Sequence, residues 1–425
     1  MYARKLSGRV TVLALIAIAF LASGTKGFAQ REKTVYTFSN SANGATPQAG
    51  LVSDSSGNLY GTTWAGGANQ YGVVYELSHG GSGWTQKVLH NFANDGLDGA
   101  RSSASLTFDA AGNLYGTTYT GGAYFFGTVF KLSPNSDGSW TEEVLHSFNQ
   151  NGVDGIYPQS ALVADAAGNL YGTTPQGGTG SCTGSENQIV GCGTVYRLAP
   201  NSDGSWTETI VYSFVGGLTD GQGPYAAVTL DAAANIYGTT IAGGKFSNSP
   251  ACSVQFCAGT VYEIKPSGPG KWSEQILHNF NDNHTDGFGP AQALVLHGGN
   301  LYGVTSSGGH SNGGTVFELS PSGGRVWTET ILYNFSGRDG LTPSSSVIFD
   351  ATGNLYGETS QGGASLYGTV YELKPQSGGG WTESVLQSFG GPTVGLTRYP
   401  RGGLIRDSAG DLFGTDSGMV FEIIP

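Results

Sequence analysis

Most of the features that would point quickly to a function are scarce in this chain. Charged residues make up 12% of its 425 positions, and 19 Lys and Arg face 31 Asp and Glu, a formal charge of −12. No basic block offsets that field, so a phosphate backbone is repelled and nucleic acid is excluded as a natural partner. Cysteine occurs only four times, at positions 182, 192, 252 and 257. Cross-links at those places could stiffen two local insertions but could not hold the whole molecule together. No apolar run reaches the roughly 20 residues that span a bilayer; the one near the N-terminus covers residues 10–21. No window carries the 3.6-residue periodicity of an amphipathic helix. Neither a His-Glu-x-x-His motif nor a phosphate loop is present.

What the chain does have is a repeat. The stretch Gly112-Asn113-Leu114-Tyr115-Gly116-Thr117-Thr118, followed by Gly127-Thr128-Val129-Phe130-Lys131-Leu132, recurs along almost its whole length. The motif tyrosine, or its aromatic stand-in, falls at Tyr60, Tyr115, Tyr171, Tyr237, Tyr302, Tyr356 and Phe413. That gives seven copies at a period close to the roughly 50 residues of a four-stranded propeller blade. In the second copy four short runs rich in β-branched and aromatic residues, 105–108, 113–118, 127–132 and 140–148, are bounded by Gly, Asn, Asp or Pro, which are strand signals. The first two are joined by Asp109-Ala110-Ala111-Gly112-Asn113, where Asp caps the turn and Gly supplies the positive φ. Equivalent turns begin at Asp54, Asp165, Asp231, Asp350 and Asp407, with His297 in the Asp place of the fifth copy and Ala234 in the Gly place of the fourth. Each copy therefore reads as an antiparallel four-stranded meander.

At the N-terminus Arg4, Lys5 and Arg9 precede the apolar run, and Gly27-Phe28-Ala29 supplies the small residues a signal peptidase reads, so residues 1–29 are expected to be a secretory signal peptide. Thr25 stands where a lipoprotein would carry its lipidated Cys. Cleavage moves the formal charge from −12 to −16 and leaves residues 30–425 as a single domain, expected to be a secreted monomer without a membrane anchor. Immediately afterwards, Lys33-Thr34-Val35-Tyr36-Thr37-Phe38 matches the end of the fourth run elsewhere, and the last copy stops at Pro425 without a fourth run. The surplus and the deficit cancel if the ends meet, because a ring leaves no unpaired edge. The expected fold is all-β: a seven-bladed β-propeller of four-stranded antiparallel blades, the last closed by the N-terminal strand. A second phasing, in which the Val-Leu-His-Ser-Phe run opens each blade, gives seven blades with none shared.

Six tryptophans, Trp84, Trp140, Trp206, Trp272, Trp327 and Trp381, open the fourth runs and are read as packing between blades. His90, His146 and His278 share a place that Tyr36, Tyr212, Tyr333 and Gln387 also fill, so that place is read as structural and no metal or cofactor is expected there. The period stretches in the third and fourth copies to admit the cysteines. Cys182–Cys192 and Cys252–Cys257 are the favoured pairs of three connectivities, each worth roughly 2–3 kcal/mol in the chain-entropy model; a four-Cys metal site is the alternative, without the paired Cys-x-x-Cys spacing that would support it. Asp98, Asp154, Asp220, Asp286 and Asp339, each followed by Gly, are read as turn formers.

Two linkers vary from copy to copy: the one between the second and third runs, and the one after the fourth run with a loose Gly-x-x-Pro signature. In a meander both emerge at the same end of the strands, so they share one face of the disc. That face carries Trp64, Tyr71, Tyr119, Tyr124, Phe125, Phe126, Phe246, Phe256 and Tyr367 as candidate ligand-binding residues, suited to stacking on sugar rings or docking on a protein. The competing expectation is that these rings fold over the loops and plug the channel. Gly309-His310-Ser311-Asn312-Gly313 matches the esterase Gly-x-Ser-x-Gly pattern, but it sits in a linker between strands rather than at a strand-to-helix turn.

The Asn-Leu-Tyr-Gly-Thr-Thr segment followed by Gly-Gly and Gly-Thr-Val-Tyr-Glu-Leu resembles the tandem repeat of choice-of-anchor GloVer-containing proteins, across residues 50–425. The resemblance implies an exported bacterial repeat protein of unassigned activity, often with a C-terminal sorting tail that the end of this sequence does not show. The Asp-x-x-Gly-Asn-Leu-Tyr part is also similar, over a shorter span, to the turn of NHL and lactonase-type propellers. Two functions follow: an exported binding or scaffold module for a glycan, an envelope component or a protein, or a propeller enzyme such as a lyase, lactonase or glycosidase. Glu358 and Asp416, which replace repeat threonines, are the only acidic departures in the second run, so binding is the favoured expectation.

Overall fold

A computed structural model describes residues 31–39, 41–81, 83–184, 188–246, 258–390 and 399–425. The expected signal peptide, the Cys252–Cys257 pair and Phe256 lie outside the described residues. The alternation of β-branched and aromatic residues with Gly-rich turns yields seven antiparallel sheets, numbered here as blades 1 to 7. Blade 2 is representative: Thr107–Phe108 is innermost, followed outward by Leu114–Thr118, Thr128–Pro134 and Trp140–Ser147. Among the described residues the only helix is a single 3-10 turn, Ser41–Asn43.

The ring closes between its ends. Ile405–Arg406, Leu412–Thr415 and Met419–Ile424 form blade 7 together with Arg31–Thr37, which pairs antiparallel with the last of them. This selects the shared-blade phasing. Lys33 Nζ adds an ion pair to Glu422 at 2.9 Å across the seam.

The repeated Asp turn is a compact hydrogen-bond unit. Asp109 Oδ1 accepts from the Ala111 and Asn113 backbone, while Oδ2 accepts from the Asn113 side chain and the Tyr115 hydroxyl. Ala234 fills the glycine place with φ 60°, a strained choice for a residue with a Cβ. The motif tyrosine thus caps its own turn, and its ring packs against the next blade: Tyr115 lies 6.2 Å from Trp206, Tyr237 6.2 Å from Trp327 and Phe413 6.1 Å from Trp84. Apolar clusters form between consecutive blades, as where Tyr115, Val129 and Phe148 meet Leu162, Leu170 and Tyr196. The core is therefore distributed over the boundaries, as the repeat requires.

A second ring of contacts surrounds the axis. The first motif threonine donates to the inner segment of the following blade: Thr62 to Ala104 O, Thr117 to Ser160 O, Thr173 to Ala226 O, Thr239 to Gln292 O and Thr415 to Ala49 O. Short ribbons, such as Gly155–Ile156 against Gln176–Gly177, tie the two variable linkers together on one face. They depend on glycine: at Gly177, with φ 86°, a Cβ would lie 2.5 Å from the Asp154 carbonyl oxygen.

Candidate functional site

The central channel is a cavity of about 280 Å³ walled mostly by small side chains, among them Ala104, Ser160 and Ala226. Its larger polar lining residues are Gln48, Gln159, Tyr225, Gln292 and Arg401. None of the candidate aromatics lines it, so the expected plug is not formed by those described.

On the variable face the candidates divide. Trp64 and Tyr119 approach to 5.4 Å, and Tyr119 stacks on Tyr157 at 4.9 Å with planes 26° apart. Phe126 lies 5.5 Å from Tyr157 with its plane tilted by 60°, and the Arg101 guanidinium sits over Trp64 at 5.7 Å. Burial, with the neighbouring Tyr119 phenol, raises the pKa of Tyr225 at the channel wall. The result is an aromatic row that runs over blades 1 to 3 toward the channel mouth. Tyr71, Phe126 and Tyr367 also pack on the clusters between blades, which is the folded-over role. Tyr124 and Phe125 are about half exposed at a loop tip, 51% and 53%. Phe246 stands apart under the Lys245 ammonium at 5.4 Å.

Sequence reasoning missed Arg101, Tyr157 and Tyr225. Tyr157 lies at the third place of the Gly-x-x-Pro signature, read only as the mark of a variable linker, and Arg101 falls at the same place in Gly99-Ala100-Arg101-Ser102, where the proline is replaced. That third place has a left-handed backbone, filled by Gly223 and Gly289 with φ 67° and 66° and by Thr46 and Thr342 with φ 59° and 55°. Arg101 and Tyr157 adopt the same conformation with φ 62° and 61°, at a cost on the order of 1 kcal/mol or more each. The side chains so held are the ones that complete the row.

Elsewhere the expectations sort as follows. Cys182 and Cys192 form a disulfide with Cα atoms 5.0 Å apart. Cys192 is fully buried against Phe214, so the bridge belongs to the core as well as to the insertion. Residues 309–313 form a turn between strands, with His310, Ser311 and Asn312 exposed. Glu358 and Asp416, the acids to which an enzymatic reading would turn, are buried at the boundary of blades 6 and 7 and outside the channel lining. Glu358 Oε2 accepts from Gly403 N at 3.0 Å, Oε1 has no partner, and burial pushes its pKa up to about 8. Asp416 accepts from Gly418 N and Met419 N and so shapes a turn.

The place shared by His, Tyr and Gln has a richer setting than its sequence suggested. A β-bulge between Val129 and Phe130 sets His146 opposite Val129 but Val144 opposite Phe130. Without the extra residue, Glu142 and His146 would share a face; with it, Glu142 faces the preceding blade and His146 the following one. His146 Nε2 lies 3.3 Å from Asp154 Oδ2 and 3.5 Å from Glu208 Oε1 of blade 3. His278 repeats this with Asp286 at 3.3 Å and Glu329 at 3.6 Å. At intervening boundaries Tyr212 donates to Asp220 at 3.2 Å and Tyr333 to Asp339 at 2.7 Å. Burial opposes the charged form of His146, yet the bond to Asp154 and the charges of Glu208 and Asp154 outweigh it and raise its pKa. Burial and the adjacent aspartate raise Glu274 and Glu383 to about 7.

Residues 25–251 and 182–420 match the model of the Gloeobacter/Verrucomicrobia repeat. The chain belongs to that repeat family. No curated protein matches this family member in sequence. Among solved structures it is similar to a streptogramin B lyase, with 14% identity, a TM-score of 0.54 and coverage of 93% of this chain and 97% of that one. It is also similar to the extracellular domain of a one component system from B. thetaiotaomicron, with 10% identity, a TM-score of 0.57 and coverage of 93% of this chain but 40% of that one. An ancestral GH74 enzyme gives 11% identity and a TM-score of 0.53 over 90% of this repeat protein and 48% of its own chain. At these identities the likeness is one of fold.

Proposed function

We propose that this Gloeobacter/Verrucomicrobia repeat protein is an exported binding module, and that its ligand is a glycan laid along the row formed by Trp64, Tyr119 and Tyr157. The observation that carries the reading is the continuous row itself: the Arg101 guanidinium 5.7 Å over Trp64, Trp64 and Tyr119 5.4 Å apart, and Tyr119 stacked on Tyr157 at 4.9 Å. The rings are half-buried, and the left-handed backbone that holds Arg101 and Tyr157 also occurs at Thr46 and Thr342, so it is the aromatic and guanidinium side chains placed there that favour recognition. Ring faces suit the C–H faces of sugars, and Arg101, Gln159 and Tyr225 supply donors for hydroxyl groups. A cleft of about 220 Å³ bounded by Gln176, Gln222 and Tyr225, beside the Cys182 loop, extends the surface outward. Export is supported by the disulfide, which an oxidising compartment maintains, and by the sequence of residues 1–29. Among the described residues no helix is long and apolar enough to cross a membrane.

The test is calorimetric titration of the purified protein with a panel of polysaccharides and envelope fractions, with Trp64→Ala and Tyr119→Ala beside it. Each variant is expected to weaken binding about tenfold, roughly 1.4 kcal/mol, with its thermal midpoint little changed. Undiminished binding in both variants would remove the row from the site. Turnover of a ligand in the same cells would favour the enzymatic reading.

A further inference from the structure

Two carboxyl groups and one imidazole converge at the boundary of blades 2 and 3, with more acceptor oxygens than the imidazole can serve. Asp154 and Glu208 lie within hydrogen-bonding reach of each other, yet both are carboxyl groups. Asp154 Oδ1 and Glu208 Oε1 are buried with no hydrogen-bond partner, and the Asp154 side chain is only 7% exposed. Asp154 Oδ2 already accepts from Asn149 N at 2.9 Å. The boundary of blades 4 and 5 repeats the pattern with an unpartnered Asp286 Oδ1 and Glu329 Oε1. In each set one imidazole nitrogen and two carboxylate oxygens lie within 4.8 Å of one another.

Those separations have a chemical meaning. A tetrahedral ion with bonds of about 2.0–2.1 Å sets neighbouring ligand atoms roughly 3.3–3.4 Å apart, and the His146 contacts are 3.3 and 3.5 Å. The His146 set also opens into a groove of about 570 Å³ bordered by Tyr124, Asn151 and Val153. A fourth position there would face solvent or a bound group.

We propose that His146, Asp154 and Glu208, and equivalently His278, Asp286 and Glu329, each bind a first-row divalent cation of the zinc type. Imidazole nitrogen with two carboxylates suits Zn²⁺ or Co²⁺, whereas Ca²⁺ takes six to eight oxygens that neither set provides. The ion takes the place of the imidazole proton as the positive charge between the facing carboxylates and links the outer strands of adjacent blades. At the Tyr212 and Tyr333 boundaries each phenol donates to its aspartate and only a glutamate oxygen, Glu274 Oε1 or Glu383 Oε1, is left without a partner, so the unpartnered aspartate Oδ1 is what sets the His146 and His278 boundaries apart. This site is independent of the aromatic row.

The repeat itself offers the variants for the test. His146→Tyr and His278→Tyr install the residue that blades 3 and 5 use, and Glu208→Gln installs the residue found at Gln86 in blade 1, so each has a native precedent in the fold. Protein stripped with chelator is titrated with Zn²⁺ by calorimetry and with Co²⁺ by visible absorption, whose d–d bands report tetrahedral nitrogen and oxygen ligation. Saturable binding is expected, with one equivalent lost in each histidine variant and two in the double variant, and with Glu208→Gln losing the same equivalent as His146→Tyr. Absence of saturable binding would overturn the proposal and leave a shared proton between the carboxyls. Unchanged stoichiometry in the folded double variant would overturn it equally, by placing the ion elsewhere.

Discussion

At the boundary of blades 2 and 3 a histidine, an aspartate and a glutamate meet; at the next boundary the same three places hold Tyr212, Asp220 and Glu274. The bulge, the apolar cluster and the tryptophan beside them are common to both. The comparison separates two jobs that one strand performs. Its bulged backbone and apolar residues join the blades, and the polar place left at the outer end can change identity without altering the join. Two further boundaries depart more strongly. Between blades 7 and 1, Tyr36 donates to Gln86 at 3.0 Å, and the blade is completed by a strand from the other end of the chain. Between blades 6 and 7, Glu358 stands where five other copies have a threonine.

Removing residues 31–39 breaks the most exceptional join and should have the largest effect. It takes away the buried Val35 and Phe38 and exposes an edge, a loss on the order of 5 kcal/mol from apolar burial alone, comparable with the whole stability of a domain. Chemical denaturation should show a shortened or absent cooperative transition; an unchanged midpoint would mean the ring does not rely on its seal.

Converting the boundary of blades 6 and 7 to the common pattern should come next. Glu358 has an ordinary pKa of 4.5 and a folded value raised to about 8. Below pH 4.5 the group is protonated in both states and costs nothing. Between 4.5 and about 8 the unfolded chain releases its proton while the fold retains it, so stability falls as pH rises by at most about 5 kcal/mol across the window, then levels off. Glu358→Thr should therefore be more stable than the parent at pH 8 and nearly equal at pH 4, read from urea midpoints. Equal differences at both pH values would contradict a buried protonated acid.

The boundary of blades 3 and 4 is the one among the described residues that holds a disulfide. Replacing Cys182 and Cys192 together by alanine should cost about 2–3 kcal/mol, visible as a lower thermal midpoint that reductant no longer affects. The smallest effect belongs to His146→Tyr in chelator, which exchanges one native boundary for another and should change stability by less than about 1 kcal/mol. A larger loss would show that the polar place is specific to its blade.

The Asp-x-x-Gly-Asn-Leu-Tyr turn was readable because every partner of Asp109 lies within six residues of it. The orphan strand at residues 33–38 was equally plain, since a repeat makes a missing copy conspicuous. Tyr157 and Arg101 were not readable as site residues, because a left-handed φ at the third place of this linker leaves no mark when the residue is not glycine, and beside Arg101 the proline of the signature is replaced by Ser102. Nor could His146, Asp154 and Glu208 be grouped: Glu208 comes 62 positions after His146, and only the bulge at Leu145 turns the imidazole toward it.

Local order in this protein was therefore settled by the chain itself: seven four-stranded meanders, their turns and the count that closes the ring, all written in short-range patterns. The tertiary structure decided what meets across the blades. Contacts between residues one period apart depend on strand register and on one inserted residue per blade, and those shift a side chain from one face to the other without changing composition or periodicity.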